Sequence, residues 1–366
     1  MWPMWSKLKY FDLPLLGAMA LLLVIGLSLQ YSISLSGQSL GLFYRQALFV
    51  GLGLVAYFIF SAYSFQHLAK FNRVLYPLLL LVLIVVLFFS RQVRGSARWI
   101  DFGFFGFQPA EVAKLVVILG LSRWLYLKRG QINSWKNIIL TFLYAFLPAA
   151  LIVLEPDLGS AIIVVGIWLG ILLVSPIKKR FVLSLAIGLV VLSGVGWQFV
   201  LKDYQKTRIE VFVNPSLDPH GRGYNVRQAI IAVGSGRLLG RGLGQGLQSQ
   251  LKFLPERQTD FVFASASEEI GFLGCFAIVV LYTFLFFRIL RIARQAKDDL
   301  AMYIVSGVLF MLFGQTVINI GMNIGLLPVT GIPLPFLSYG GNSVIVVLVS
   351  LGIVQNIRRQ SKILRF

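Results

Sequence analysis

The sequence predicts an all-α polytopic membrane protein, and three observations carry that reading. Mean hydropathy is +0.82. Hydrophobic residues make up 57% of the chain and charged residues only 13%. Apolar runs of about 20 residues, each long enough for ~30 Å of hydrocarbon, recur from one end to the other. A membrane β-barrel is excluded, because its alternating strands give a much weaker hydropathy signal.

About ten transmembrane helices are expected, near 13–33, 43–61, 74–90, 110–127, 138–154, 160–175, 181–201, 261–287, 301–327 and 335–356. They form a single transmembrane domain over 1–366, with a large extracytoplasmic loop, 202–260, between helices 7 and 8. The first apolar run is too long for a cleavable signal peptide, and its flank, 1–14, has no small-residue cleavage site after an apolar core. Cys275 is the only cysteine and falls in a span, so it makes neither an intrachain disulfide nor a metal knuckle. His67 and His220 fall in different loops, and no His-based metal site is visible.

The net charge of +19 does not point to nucleic acid, because the cations flank spans. With the N-terminus inside, 19 of the 33 Lys and Arg fall on the inner side with three acids, Asp12, Asp298 and Asp299. The positive-inside rule therefore places both termini in the cytoplasm. Arg45, Arg94 and Arg98 break the rule in short outer loops or at their edges. Interfacial snorkelling accounts for Arg45 and Arg98 at no functional cost; an outward anion site is the competing account.

The fourth span opens F-Q-P-A-E-V-A-K. Pro109 suits the first helical position, and Glu111 in the first turn complements the helix dipole. Lys114 lies on the same face, about 4.5 Å deeper by helical rise. A buried Lys needs a partner, so Glu111 and Lys114 predict a charge-paired polar pocket facing outward. After the fifth span, L-E-P-D-L-G-S carries Glu155 and Asp157; Asp157 is as well explained by capping the sixth helix as by catalysis.

The 202–260 loop holds the run G-S-G-R-L-L-G-R-G-L-G-Q-G at 234–246, which matches no nucleotide-binding motif. Its backbone N–H groups and guanidinium groups suit a phosphate; a flexible or re-entrant loop is the plainer reading. The eighth span follows Q-S-Q-L-K-F-L-P-E-R-Q-T-D-F-V-F-A-S-A-S-E-E-I-G at 248–271, the densest group of charges in the chain. Ile270–Phe287 alone is about 27 Å of helix, which leaves Glu268 and Glu269 at the outer interface. A helix starting at Asp260 would put Asp260 about 12 Å from Glu268, too far for a glycosidase-type acid–base pair. Asp260 is thus expected to act alone, with helix capping, in competition with Thr259, as its ordinary alternative. The ninth span carries Gln315, Asn319 and Asn323 in one stripe, read as interhelical glue. The segment L-P-V-T-G-I-P-L-P-F-L-S-Y-G-G-N-S is too broken for a regular helix, and such backbone is tolerated at depth only when buried or lining a cavity.

The motifs L-P-E-R-Q-T-D-F-V-F…E-E-I-G, Q-P-A-E-V-A-K, E-P-D-L-G-S-A and P-F-L-S-Y-G-G-N-S together resemble the SEDS proteins (shape, elongation, division and sporulation), from the first span to the last. The wording is more like the elongation branch, RodA, than the division branch, FtsW, although Gln258 departs from the His expected there. The resemblance implies a peptidoglycan glycosyltransferase of the bacterial inner (plasma) membrane that polymerises lipid II, outside the cytoplasm, into β-1,4 glycan strands for cell elongation and shape. Its implied partner is a class B penicillin-binding protein, the transpeptidase. Asp260 corresponds to the family's essential loop aspartate, and Glu111 and Lys114 to its fourth-span pair. Gln108, Asp157, Glu256, Arg257, Thr259 and Ser338 stand in the matching motifs and are assigned with Arg45, Arg98 and Arg208 to substrate binding.

The chemistry fits one inverting displacement. The donor's pyrophosphate is a good leaving group, so one base for the acceptor hydroxyl suffices, and Asp260 supplies it. The developing anion needs positive charge, from Arg45, Arg98, Arg208 and Arg257, with or without a divalent cation (Mg or Mn) for which Asp260 is an alternative ligand. The rival readings are a flippase for the same lipid, using Glu111–Lys114 as a path, and a structural scaffold.

Overall fold

The computed structural model describes residues 11–35, 40–89, 99–101, 106–200, 203–218, 221–251 and 253–363. Ten long helices correspond one to one with the ten expected spans. They are α1 (Leu13–Leu35), α2 (Gly41–Ala62), α3 (Phe65–Phe89), α4 (Pro109–Leu127), α5 (Trp135–Leu154), α6 (Leu158–Val174), α7 (Lys179–Val195), α11 (Val262–Arg294), α12 (Asp299–Asn323) and α13 (Gly341–Ile363). Between α3 and α4 lies a two-stranded hairpin, β1 (Ile100–Asp101) and β2 (Gly106–Phe107), antiparallel with Ile100 opposite Phe107. Between α7 and α11 come the shorter α8 (Asp203–Val213), α9 (Arg222–Ser235) and α10 (Leu247–Gln250).

Seven of these helices are long and apolar enough to cross a membrane on their own: α1, α2, α3, α5, α11, α12 and α13. The other three have identifiable reasons for falling short. Helix α4 carries Glu111, Lys114 and Arg123 within 19 residues, and α6 and α7 are 17 residues each. Helices α12 and α13 form the interior, with 61% and 78% of their apolar windows buried, against 22% for α2 and α3. Helix α2 packs along α13, and α12 touches α4, α6 and α11. At the end of the bundle carrying the termini, Asp12 is buried and accepts from Arg288 Nη2 at 2.6 Å, with Arg358 Nε at 3.4 Å. This network ties the first, eighth and last long helices together.

The 202–260 loop differs from the flexible or re-entrant segment expected. Its described part is largely helical and has its own small core, in which Ala229 and Ala232 of α9 meet Leu254, Phe261 and Ala264. The glycine-rich run packs its backbone against α11. Helix α11 breaks at Gly271, whose φ of +67° and ψ of −169° are inaccessible to most side-chain-bearing residues. The loop backbone fills the break. Phe272 N–H and Leu273 N–H donate to the carbonyls of Arg237 and Leu238, at 2.8 and 3.1 Å. In return, Arg241 N–H and Gly242 N–H each donate at 3.0 Å to the carbonyls of Glu268 and Glu269. The backbones approach so closely that a Cβ at Gly240 would lie 2.2 Å from the Glu269 carbonyl oxygen.

Candidate active site

The segment from Pro328 to Gly340, between α12 and α13, has no regular structure and organises the site. The turn at 258–260 lies against it. Three consecutive carbonyls there are each claimed by another element. Gln258 O accepts from Gln30 Nε2 of α1 at 3.0 Å and from Tyr339 N–H at 2.7 Å. Thr259 O accepts from Ser338 Oγ at 2.5 Å. Asp260 O accepts from Asn319 Nδ2 at 3.0 Å and Asn323 Nδ2 at 2.9 Å. Asn319 and Asn323 are therefore interhelical ties, as the polar stripe on α12 led us to expect.

Asp260 does not cap α11. The helix starts at Val262 with Phe261 as its N-cap residue, and no cap side chain bonds to it. Asn323 Oδ1 accepts the first-turn N–H of Ala264 at 2.9 Å instead. Thr259 does not cap it either; its hydroxyl donates to Glu256 Oε2 at 3.1 Å. Glu256 is exposed at a turn with φ +48°, and its carbonyl accepts from Thr259, Asp260 and Phe261 N–H. The Asp260 carboxylate faces Gly331, where a Cβ would lie 3.5 Å from Oδ2.

Other expected site residues converge on the same short stretch. Thr330 O accepts from Arg208 Nη1 of α8 at 3.4 Å. Ile332 O accepts from Asn319 Nδ2 at 2.8 Å, and its side chain fills the space beside Gly159 at the start of α6. Thr330, Gly331 and Ile332 are consecutive, so Arg208, Asp260 and the α6 N-terminus meet along roughly 7 Å of backbone. At the segment's far end, the Arg45 guanidinium of α2 lies beside the Tyr339 hydroxyl. Gln46, next to it, accepts from Gly340 N–H at 3.2 Å and donates to Ser338 O at 3.3 Å.

The Glu111–Lys114 pair forms as expected, at 2.6 Å, but its side chains are 4% and 1% exposed, so it is a buried ion pair rather than the wall of an open pocket. Above it, Gln108 Nε2 donates to Asp157 Oδ2 at 2.9 Å. Asp157 also caps α6, accepting from Ser160 N–H at 3.0 Å and from Ser160 Oγ at 2.9 Å. The geometry thus gives Asp157 and Gln108 a bracing role between α4 and α6. Ser338 is likewise committed internally, since its Oγ also accepts Leu334 N–H at 2.8 Å.

Two placements differ from what the sequence suggested. Glu268 and Glu269 are buried inside the protein, with partners the sequence did not suggest. Glu268 accepts from Gln248 N–H, Ser249 N–H and Ser249 Oγ, and Glu269 accepts from Ser32 Oγ at 2.7 Å. Both carboxylates pin the loop to the bundle. Arg257 is buried beside Glu269; burial pushes its guanidinium below the usual range, and the Glu269 carboxylate offsets part of that. It is a charge partner within the fold. Arg98 lies outside the described residues.

The comparisons with known proteins bear on this arrangement. A family model described as "Cell cycle protein", covering FtsW, RodA and SpoVE, matches residues 7–363. The chain belongs to this family, the SEDS proteins. It is 36% identical over 361 residues to the peptidoglycan glycosyltransferase MrdB of Escherichia coli K12, covering 98% of this chain and 96% of that one. It is 37% identical to stage V sporulation protein E of Bacillus subtilis, over 96% and 98% of the two chains. Among solved structures it resembles a chain described under polymerization and crosslinking by a peptidoglycan synthase complex, with TM-score 0.81, 30% identity and coverage of 96% and 98%. It also resembles the rod shape determining protein RodA of Thermus thermophilus, with TM-score 0.72, 29% identity and coverage of 96% and 97%.

For this SEDS chain, the sequence left Gln30, Gln46 and Asn342 unremarked. Asn342 Nδ2 donates to Gly106 O at 2.6 Å and ties the hairpin to α13. The signal was present for Gln30 and Gln46, because an amide inside an apolar span needs a partner. Gln315 is also fully buried, one turn from Asn319, and among the described residues neither amide atom has a hydrogen-bond partner.

Proposed function

We propose that this SEDS protein is a peptidoglycan glycosyltransferase that polymerises lipid II, with Asp260 as the base for the acceptor hydroxyl. One observation carries the reading: the backbone of Asp260 is held by two asparagines while its helix is capped by another residue. A carboxylate with an anchored backbone and no capping duty is preorganised, as a general base must be. Arg45 and Arg208 lie toward the two ends of the same Pro328–Gly340 segment and are the cations this reading assigns to the substrate pyrophosphates. The displacement inverts the donor's anomeric carbon: the acceptor oxygen bonds to it, its proton passes to Asp260, and the polyprenyl pyrophosphate leaves.

A magnesium or manganese ion would be held by Asp260 and the donor pyrophosphate, and would add positive charge at the leaving group. Among the described residues no group of three or more His, Cys, Asp or Glu exists, so most ligands of such an ion would be substrate and water oxygens. The site faces outward and both termini are cytoplasmic in this reading, as the Lys and Arg distribution requires. A class B penicillin-binding protein is the proposed partner; the similarity to a chain from a peptidoglycan synthase complex supports it. The test is incubation of the purified chain with lipid II in detergent, with and without that partner. Glycan polymer on a gel is the expected product. Lipid II left intact under both conditions would favour the flippase or scaffold reading.

A further inference from the structure

At the end of the bundle opposite Asp260, a cavity of about 450 Å³ opens between the C-terminal end of α4 and the N-terminal end of α5. Its lining includes Trp124, Lys128, Lys136 and Leu140. The connecting loop is pinned in shape. Asn133 Nδ2 donates to Pro176 O at 3.1 Å, and its Oδ1 accepts Lys178 N–H at 2.7 Å. Asn137 Nδ2 donates to Gln131 O at 2.6 Å.

The cavity is positive and not neutralised from within. Among the described residues neither Lys128 nor Lys136 has an acidic partner; the ion pair nearest in sequence is Arg129 with Asp299, both exposed, at 4.0 Å. Lys136 sits in the first turn of α5, which contains no acidic residue. A cation there opposes the helix dipole, so both the helix end and the lysine call for an anion. The cavity also leads onto an apolar track. Leu140 lines it and is 42% exposed, and Leu143, Leu147 and Leu154 continue along α5 with similar exposure. A soluble phosphate would leave that track unused, whereas the acyl chain of a lipid would cover it.

We propose that this cavity binds the headgroup of an anionic phospholipid of the adjoining leaflet, the cytoplasmic one in the orientation given above. Lys128 and Lys136 hold the phosphodiester, Trp124 sits at the interface level, and an acyl chain lies along Leu140, Leu143 and Leu147. Both ends of the cavity belong to helices, so a bound lipid would brace α4, the helix that carries Glu111 and Lys114. The site does not depend on the glycosyltransferase reading, and its test reads lipid rather than polymer.

The full chain is reconstituted in nanodiscs of mixed phosphatidylcholine and phosphatidylglycerol, released into mild detergent, and its retained lipids are counted by native mass spectrometry. Wild type should retain phosphatidylglycerol in preference to phosphatidylcholine. Lys128→Gln with Lys136→Gln should lower that retention roughly 30-fold, at about 5-fold per lysine. Lys70→Gln with Arg73→Gln removes the same charge from the N-terminal part of α3, on the same face, and should leave retention unchanged. Equal retention of both lipids by wild type overturns the proposal without any variant. So does equal loss in the two double variants, which would mean a diffuse field with no site. Complete displacement of phosphatidylglycerol by millimolar inorganic phosphate would reassign the cavity to a soluble anion.

Discussion

Lys114 and Glu111 form a 2.6 Å ion pair with almost no solvent contact, and at the scale of single residues this is the chain's most exacting interaction. Removing one partner leaves a buried charge unpaired, which costs about 3–5 kcal/mol. Lys114→Met should therefore lose most of its thermal stability margin, or fold and lose polymerisation. Normal unfolding temperature together with wild-type polymer yield would contradict that. Arg45 and Arg208 present a gentler case. Arg45 is exposed and Arg208 half-buried, so Ala substitutions should change stability little while weakening lipid II binding. Lys replacements should restore binding only in part, because an ammonium cannot reproduce a bidentate guanidinium. Binding isotherms unchanged in both Ala variants would remove the arginines from the site.

At the scale of elements, the break in α11 is the feature with most consequence. Gly271 combines a positive φ with a Cβ position 2.2 Å from Gly240 N. Gly271→Ala should displace the 236–246 loop, and with it the Glu268 and Glu269 anchors, and cost well over the ~1 kcal/mol of an ordinary helical glycine change. Limited proteolysis within 236–246 checks it: the variant should be cut faster than wild type, and an equal cutting rate would mean that the loop is held elsewhere. This is also where the sequence was least legible. All ten long helices could be read from it, because a long apolar run has few alternatives in lipid. The Asn319–Asn323 stripe was legible because amides in lipid need partners. The glycine run was not, since its reason is a close approach to a helix distant in sequence. The burial of Glu268 and Glu269 was missed for the same cause: the span-length argument located the crossing helix correctly, but a loop packs over the two carboxylates. Gln30 and Gln46 gave a signal but no partner, because their partners lie about 200 to 300 residues away.

The whole molecule is a bundle of ten long helices with polar ties at both ends: Asp12, Arg288 and Arg358 at one, and the Pro328–Gly340 segment at the other. The proposed orientation puts the first inside and the second outside. A cysteine introduced at Asp218 in a Cys275→Ala background should react with an impermeant maleimide in intact cells. Labelling only after permeabilisation would reverse the orientation and place Asp260 on the wrong side for an extracytoplasmic polymerase.

The central claim is that the Asp260 carboxylate takes the proton of the acceptor hydroxyl. Asn319 and Asn323 grip its backbone carbonyl, and Asn323 caps the helix that follows, so Asp260→Asn leaves those ties intact. The variant should insert, unfold at the wild-type temperature and bind the partner as before. It cannot accept a proton, and loss of a general base costs about 10²–10⁴-fold in rate. The measurement is glycan polymer made from lipid II by purified Asp260→Asn beside wild type. The account predicts no detectable polymer from a folded variant; polymer at the wild-type rate would contradict it.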